Sequence, residues 1–201
     1  MAESPQFPLG TVLFPGMVIP LHVFEPRYRA MIDVVLAGDG TFGVTLIERG
    51  HEVGGNDKRC NVGTKAKVIK AERFSDGRWS LLAVGTERFK ITRWYDDDPY
   101  PRADIEPWPD EGEPTTPSQD LAALFCRCRA LASEAGIDVG ALPDDRKPLD
   151  LDSVQMATLS PLGVYDKQKL LSAPGPSQRI ALLHEMLADA AELIELRLAN
   201  S

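Results

Sequence analysis

The chain has 201 residues, the size of one large domain or two small ones. Hydrophobic residues make up 43% and charged residues 26%, close to the globular average, which implies a packed core and excludes wholesale disorder. Its 22 Lys and Arg against 30 Asp and Glu leave a formal net charge of -8, a balance that argues against a protein built to hold a phosphate backbone.

Residues 1–10 carry neither the basic start nor the apolar run of a secretory signal, and no stretch approaches the roughly 18 apolar residues of a membrane span. Cys60, Cys126 and Cys128 are odd in number and lack framework spacing, which suits a reducing compartment. A cytoplasmic protein without disulfides or membrane contact is expected.

The first hundred residues read as β with one interruption. Segments Leu9 to Phe14, Val18 to Phe24, Phe42 to Glu48, Val62 to Phe74, Trp79 to Val84, Glu87 to Trp94 and Tyr100 to Pro107 are short, rich in β-branched and aromatic residues, and bounded by Gly, Pro or Asp. Seven such strands suggest a barrel or sandwich. Phe89 and Ile91 alternate with Arg88, Lys90 and Thr92, the period of a strand with one wet face. Asp76-Gly77 is the strongest hairpin signal and predicts a type I′ turn. The interruption runs from Pro26 to Ala37, where Tyr28, Met31, Ile32, Val35 and Leu36 recur at helical spacing between Pro26 and Gly38.

From Pro107 to Pro117 the chain is acidic, proline-rich and aperiodic, as a solvated linker would be. This predicts a β domain over 1–107, a linker over 108–117 and a helical domain over 118–201. In the last of these Leu121, Leu124, Phe125, Cys128, Leu131 and Ala132 form one stripe that Gly136 ends. Asp152 and Gln155 make a capping box before a short helix that Pro161 stops, and Asp166 can cap another short turn. Ser177 opens the longest helix, with a seam through Leu183, Leu187 and Ile194.

The chemical motifs are few. Gly38-Asp39-Gly40-Thr41-Phe42-Gly43 matches G-x-G-x-x-G, but a dinucleotide site needs a strand before it and a helix after it, and here that order is reversed. The dipeptide Gly-Lys never occurs, so there is no P-loop, and no G-x-S-x-G elbow is present. His22, His51 and His184 lack metal-ligand spacing, and Cys126 and Cys128, two apart on a helix, point to different sides. Asp96, Asp97, Asp98 and Pro99 read as a solvated turn. No catalytic residue, cofactor or metal site is expected. The basic residues Lys65, Lys67, Lys70, Arg73, Arg78, Arg88, Lys90 and Arg93 cluster in the β region. On exposed strands such residues also protect sheet edges from pairing.

The run Phe7-Pro8-Leu9-Gly10-Thr11-Val12-Leu13-Phe14-Pro15-Gly16-Met17-Val18-Ile19-Pro20-Leu21-His22-Val23-Phe24-Glu25-Pro26-Arg27-Tyr28 resembles the opening of the Lon protease N-terminal domain family. Phe42-Gly43-Val44, Glu52-Val53-Gly54, Val62-Gly63-Thr64-Lys65-Ala66, Gly85 to Phe89, and Leu159-Ser160-Pro161 through Gln168-Lys169-Leu170-Leu171 to Arg179 follow in the family's order, so the resemblance covers nearly the whole chain. It implies an α+β protein, a PUA-like β pseudo-barrel followed by a helical bundle. In full-length Lon proteases this region helps to recognise unfolded polypeptide, while ATP hydrolysis and Ser-Lys cleavage belong to later domains. The chain thus resembles a stand-alone bacterial member, a non-enzymatic module binding unfolded polypeptide or a protein partner in protein quality control. Apolar client segments call for aromatic and Met side chains or an open sheet edge. The candidate polypeptide-binding residues are Met17, Pro20, His22, Phe24, Tyr28 and Met31. The rival reading is an RNA-binding PUA-like module using Lys65, Lys67, Arg88 and Lys90. The ASCH signature G-x-K-x-x-E-x-R starts at Gly63 and Lys65 but has Val68 and Lys70 in its Glu and Arg places.

Overall fold

Strand-forming runs in the first hundred residues carry apolar side chains at every second position, so they bury one face only by curling around a shared core. The computed structural model, which describes residues 2–50, 57–142 and 146–200, shows how they do so. The chain divides into two compact units, Met1–Pro109 and Asp110–Ser201.

The first unit contains β1 (Ala2–Leu9), β2 (Val18–Val23), α1 (Pro26–Ala37), β3 (Thr41–Arg49), β4 (Lys58–Arg73), β5 (Trp79–Trp94) and β6 (Arg102–Pro107). The sheet runs β2-β5-β4-β3-β1-β6, and a further β5–β6 pairing closes five of the strands on one another. β5 makes this possible by length: its first half, Trp79 to Val84, pairs with β2, and its second half, Phe89 to Trp94, pairs with β6. Register shifts between Thr64 and Ala66 and between Val68 and Lys70 let β4 coil along it. The main core gathers Phe7, Leu9, Ile19, Leu21, Phe42 and Val44 beneath Tyr28, Met31, Ile32 and Val35 of α1. A smaller cluster holds Phe89, Ile91 and Ala103.

Three expectations change here. The first strand is Ala2–Leu9 rather than Leu9 to Phe14. Pro5 and Pro8 lower its β signal, but the strand changes partner between them, pairing with β6 through Ala2 to Pro5 and with β3 through Gln6 to Leu9. Val12, Leu13 and Phe14 are buried without being strand. The segments on either side of Gly85 form one strand. A Cβ on Gly85 would lie 2.3 Å from the Phe14 carbonyl oxygen, so this glycine admits a close backbone crossing instead of breaking the strand. The Asp76-Gly77 hairpin is present, with a three-residue loop. Gly77 N–H donates to Phe74 O at 2.9 Å, Phe74 N–H donates to Arg78 O at 2.9 Å, and Gly77 sits at φ 82.

The second unit contains α2 (Gln119–Glu134), a 3-10 turn at Pro148–Asp150, α3 (Ser153–Leu159), α4 (Val164–Leu171) and α5 (Pro176–Ala199). Ser118 Oγ accepts from Leu121 N–H to cap α2, and the Asp152–Gln155 capping box opens α3. Helix α4 begins two residues before Asp166, with Gly163 as its cap, and α5 opens on Pro176. Leu183, Leu187, Ala191 and Ile194 of α5 are buried, as are Leu121, Phe125, Cys128 and Ala132 of α2.

The acidic, proline-rich stretch is tied down where it begins. Arg179 is wholly buried. It donates to Leu170 O at 3.1 Å, to Ser153 Oγ at 3.0 Å and to both carboxylate oxygens of Asp110 at 2.9 and 2.6 Å. Glu111 N–H donates to Pro174 O at 3.0 Å. A Cβ on Gly175 would lie 2.0 Å from the Glu111 carbonyl oxygen.

Candidate functional site

Strand β2 pairs with β5 and, among the described residues, with no strand on its other side. Pro20 lies in the middle of it and has no N–H to give, which places this residue at a position whose backbone faces outward. The Met17 carbonyl accepts from Gly85 N–H at 2.9 Å, so the odd-numbered residues turn their backbone groups to β5. Pro20 and His22 therefore present theirs to the open edge.

Against that edge lies a groove of about 350 Å³, lined by Phe7, Leu9 and Thr11 from β1 and its exit, by Ile19 to Glu25, and by Tyr28. Its floor is a stacked pair, Phe7 on Tyr28, with ring centroids 4.3 Å apart. Phe24 is 52% exposed beside it. The exposed His22 ring lies 5.8 Å from that of Phe74. The groove therefore combines unpaired strand backbone with apolar side chains.

One end of the groove is charged. Arg59 lies 9% exposed between Asp57 and Asp97, bonded to Asp57 at 2.6 and 3.0 Å and to Asp97 at 2.9 and 2.6 Å. Its guanidinium stacks over Trp94 at 4.9 Å. Arg27 bonds Glu25 at 3.1 Å, stacks on Tyr28 at 4.5 Å and approaches Asp97 at 3.9 Å. Burial works against the Asp57 carboxylate, but the hydrogen bonds and charge of Arg59 outweigh it and hold this group below the usual carboxylate range. Burial also works against the Arg59 charge, and the bonds to Asp97 and Asp57 overcome it and raise its pKa. Burial pushes the Tyr28 phenol up to about 12 against the pull of Arg27 and Arg59, so it stays neutral. Asp97, expected in a solvated turn, is thus part of an ion network that pins the start of β4 to the start of α1. Sequence spacing could not reveal it, because Arg59 and Asp97 are 38 residues apart.

The six candidate residues separate. Pro20, His22 and Phe24 are exposed at the groove, and Tyr28 meets it only from the core. Met17 is half-buried against the core, and Met31 is wholly buried within it, so neither lines the groove. The basic residues are largely engaged with the protein itself. Lys65 pairs with Glu87 at 3.4 Å, Lys67 donates to the Asp39 carbonyl, and Arg88 and Lys90 lie over Trp108 at 4.6 and 3.8 Å. The G-x-G-x-x-G segment is a helix-to-strand turn in which Asp39 Oδ1 accepts from Thr41 N–H at 3.0 Å and from its hydroxyl at 2.7 Å. Burial raises the Cys60 and Cys128 thiols, which leaves little thiolate at neutral pH. Among the described residues no group of His, Cys, Asp and Glu could hold a metal ion. No helix among them is long and apolar enough to cross a membrane. His51 and Glu52-Val53-Gly54 lie outside the described residues.

The open strand edge, the stacked floor and the helix laid over the core belong to a domain whose family comparison with known proteins gives. The model of the ATP-dependent protease La (LON) substrate-binding domain matches residues 3–189, so the chain belongs to that family. It is 28% identical over 205 residues to the Lon protease of Flavobacterium johnsoniae, covering 98% of this chain and 25% of that protein. The Lon protease of Syntrophus aciditrophicus is 25% identical over 196 residues, covering 92% of this chain and again 25% of the relative. The chain thus spans about a quarter of the length of these relatives. The crystal structure of a Lon N-terminal domain protein from Xanthomonas campestris superposes with a TM-score of 0.68 at 23% identity, covering 92% of this chain and 98% of that one. The N-terminal domain of the Mycobacterium avium complex Lon protease gives 0.60 at 19% identity, covering 94% and 99%. The α+β fold is shared with both.

Proposed function

We propose that this chain is a non-catalytic module of protein quality control in the bacterial cytoplasm, which holds an extended segment of unfolded polypeptide along the open edge of β2. The observation that carries this reading is the unpaired edge opening onto the groove floored by Phe7 and Tyr28. An added strand would bond its backbone to Pro20 O and to the N–H and C=O of His22, and seat alternate apolar side chains in the groove. Unfolded chains offer both features, whereas folded proteins hide them. We favour this over the RNA reading because the net charge is -8 and the basic side chains that reading needs contact Glu87, the Asp39 carbonyl and Trp108.

The test titrates a fluorescently labelled, chemically unfolded client at low and high salt, beside its folded form and a single-stranded RNA. Micromolar binding of the unfolded form is expected, because ordering a flexible chain offsets much of the contact energy. It should be insensitive to salt. His22→Pro removes an N–H that faces the open edge and spares the bonds to β5, so it should weaken binding at least roughly threefold with the fold unchanged, the scale of one hydrogen bond. Phe24→Ser should act in the same direction. Binding of RNA alone, lost as salt rises, would replace this reading with the nucleic-acid one.

A further inference from the structure

The last helix carries two apolar stripes, and among the described residues only the inner one is buried. The inner stripe, Leu183, Leu187, Ala191 and Ile194, is buried. The outer stripe begins one residue earlier and runs Leu182, Met186, Ala190, Leu193, Leu196, stepping by four, four, three and three. Leu193 is 67% and Leu196 62% exposed. Beside it lies an open groove of about 520 Å³, whose opposite wall is Ile137 with Pro161 and Leu162 from the α3–α4 connection. A shallower hollow at Leu196 and Ala199 continues it toward the end of the helix.

We propose that this face docks an amphipathic helix with basic flanks on a partner protein, at a site separate from the β2 groove. The stripe extends over about 21 Å at 1.5 Å per residue, four helical turns, which is too long for a single side chain. Its three- and four-residue steps form a ridge of the kind that packs between the ridges of another helix. An extended segment would gain nothing further here, because the backbone groups within α5 are already bonded to one another; recognition must come from side chains.

Charge selects the partner. Glu185, Asp189 and Glu192 border the stripe and have no ion pair among the described residues, while Asp166 and Glu195 are paired with Lys169 and Arg127. Lys169 lines the larger groove, and the charged residues lining the shallower hollow are Glu192 and Glu195. A second copy docked by the same face would bring these carboxylates together, since a two-fold interface sets the same patch against itself and the unpaired charges bordering this one are acidic. A helix with Lys or Arg beside its apolar stripe meets them with opposite charge.

The experiment measures fluorescence anisotropy of synthetic helical peptides of about 18 residues titrated with the full chain. One has Leu at i, i+3, i+4 and i+7 with Lys on the other faces. The second replaces each Lys by Glu, and the third scrambles the Lys peptide. The Lys peptide should bind at least about tenfold more tightly than either control, and Leu193→Ser with Leu196→Ser should weaken it about tenfold. Both leucines are mostly exposed, so the double variant should keep the wild-type melting curve, while Phe24→Ser should leave peptide binding unchanged. Loss of binding in Phe24→Ser, equal binding of the Glu or scrambled peptide, or wild-type affinity in the double variant would overturn the proposal. So would a wild-type dimer in sedimentation that the double variant abolishes, because a second copy would then cover this face. Failure here leaves the β2 groove untouched, since that site is probed by unfolded client and by His22→Pro.

Discussion

Arg59 joins three segments that are far apart in sequence: its own strand β4, the turn containing Asp97, and the start of α1 through Arg27. The Asp57 side chain in this network is only 4% exposed, so solvent screens the pair little. Its folded carboxyl titrates below the unfolded value of about 3.9. The resulting stability is therefore fully present above that value and is lost as pH falls through the lower, folded pKa. Asp57→Asn should cost about 1–3 kcal/mol at neutral pH, measured by urea unfolding. The gap to wild type should narrow below about pH 4, and a gap that stays constant to lower pH would show that the carboxylate charge contributes nothing. None of this was legible in the sequence, where Asp57, Arg59 and Asp97 are ordinary surface residue types. Pro20 was a binding candidate from the sequence, but that its backbone faces an open edge follows only from the strand order.

Elements were legible in proportion to their periodicity. The buried seam of α5 follows the expected Leu183, Leu187 and Ile194. Leu187→Asp should unfold or aggregate the helical unit, because an unpaired carboxylate in a closed seam costs several kcal/mol, comparable with the stability of a domain. Leu193→Asp, on the outer stripe, should stay within about 0.5 kcal/mol of wild type. Equal thermal melts for the two variants would show that the faces have been assigned wrongly. In β5 the single strand depends on Gly85. Gly85→Ala forces a methyl against the Phe14 carbonyl, so a loss of about 1–3 kcal/mol is expected in the urea midpoint. A wild-type midpoint would mean that the Leu13–Phe14 crossing gives way freely. Reading Gly85 as a strand end applied a sound statistical rule, but the glycine answers a non-local crossing that its neighbours do not announce.

For the molecule as a whole, the unit boundary at Pro109 and Asp110 and the bonds of Asp110 and Glu111 within the second unit narrow the expected linker. Gly112, Glu113, Pro114 and Thr116 are exposed. Limited proteolysis followed by mass spectrometry should therefore cut first between 112 and 116 and release a β fragment and a helical fragment. Earlier cutting inside β4 or β5 would mean that the closed sheet opens more readily than the connection.

Family, fold class and most helices followed from the sequence alone, because hydrophobic period, caps and a long uninterrupted motif are properties of neighbouring residues. Tertiary structure alone decided the rest: that among the described residues β2 has one free edge and the second stripe of α5 is left uncovered, that Pro20, His22 and Phe24 face the groove while Met31 is sealed away, and that Arg59 closes a network. Each of these depends on which distant segment packs across a given residue. That pairing is set by strand order and helix packing, which no local pattern encodes.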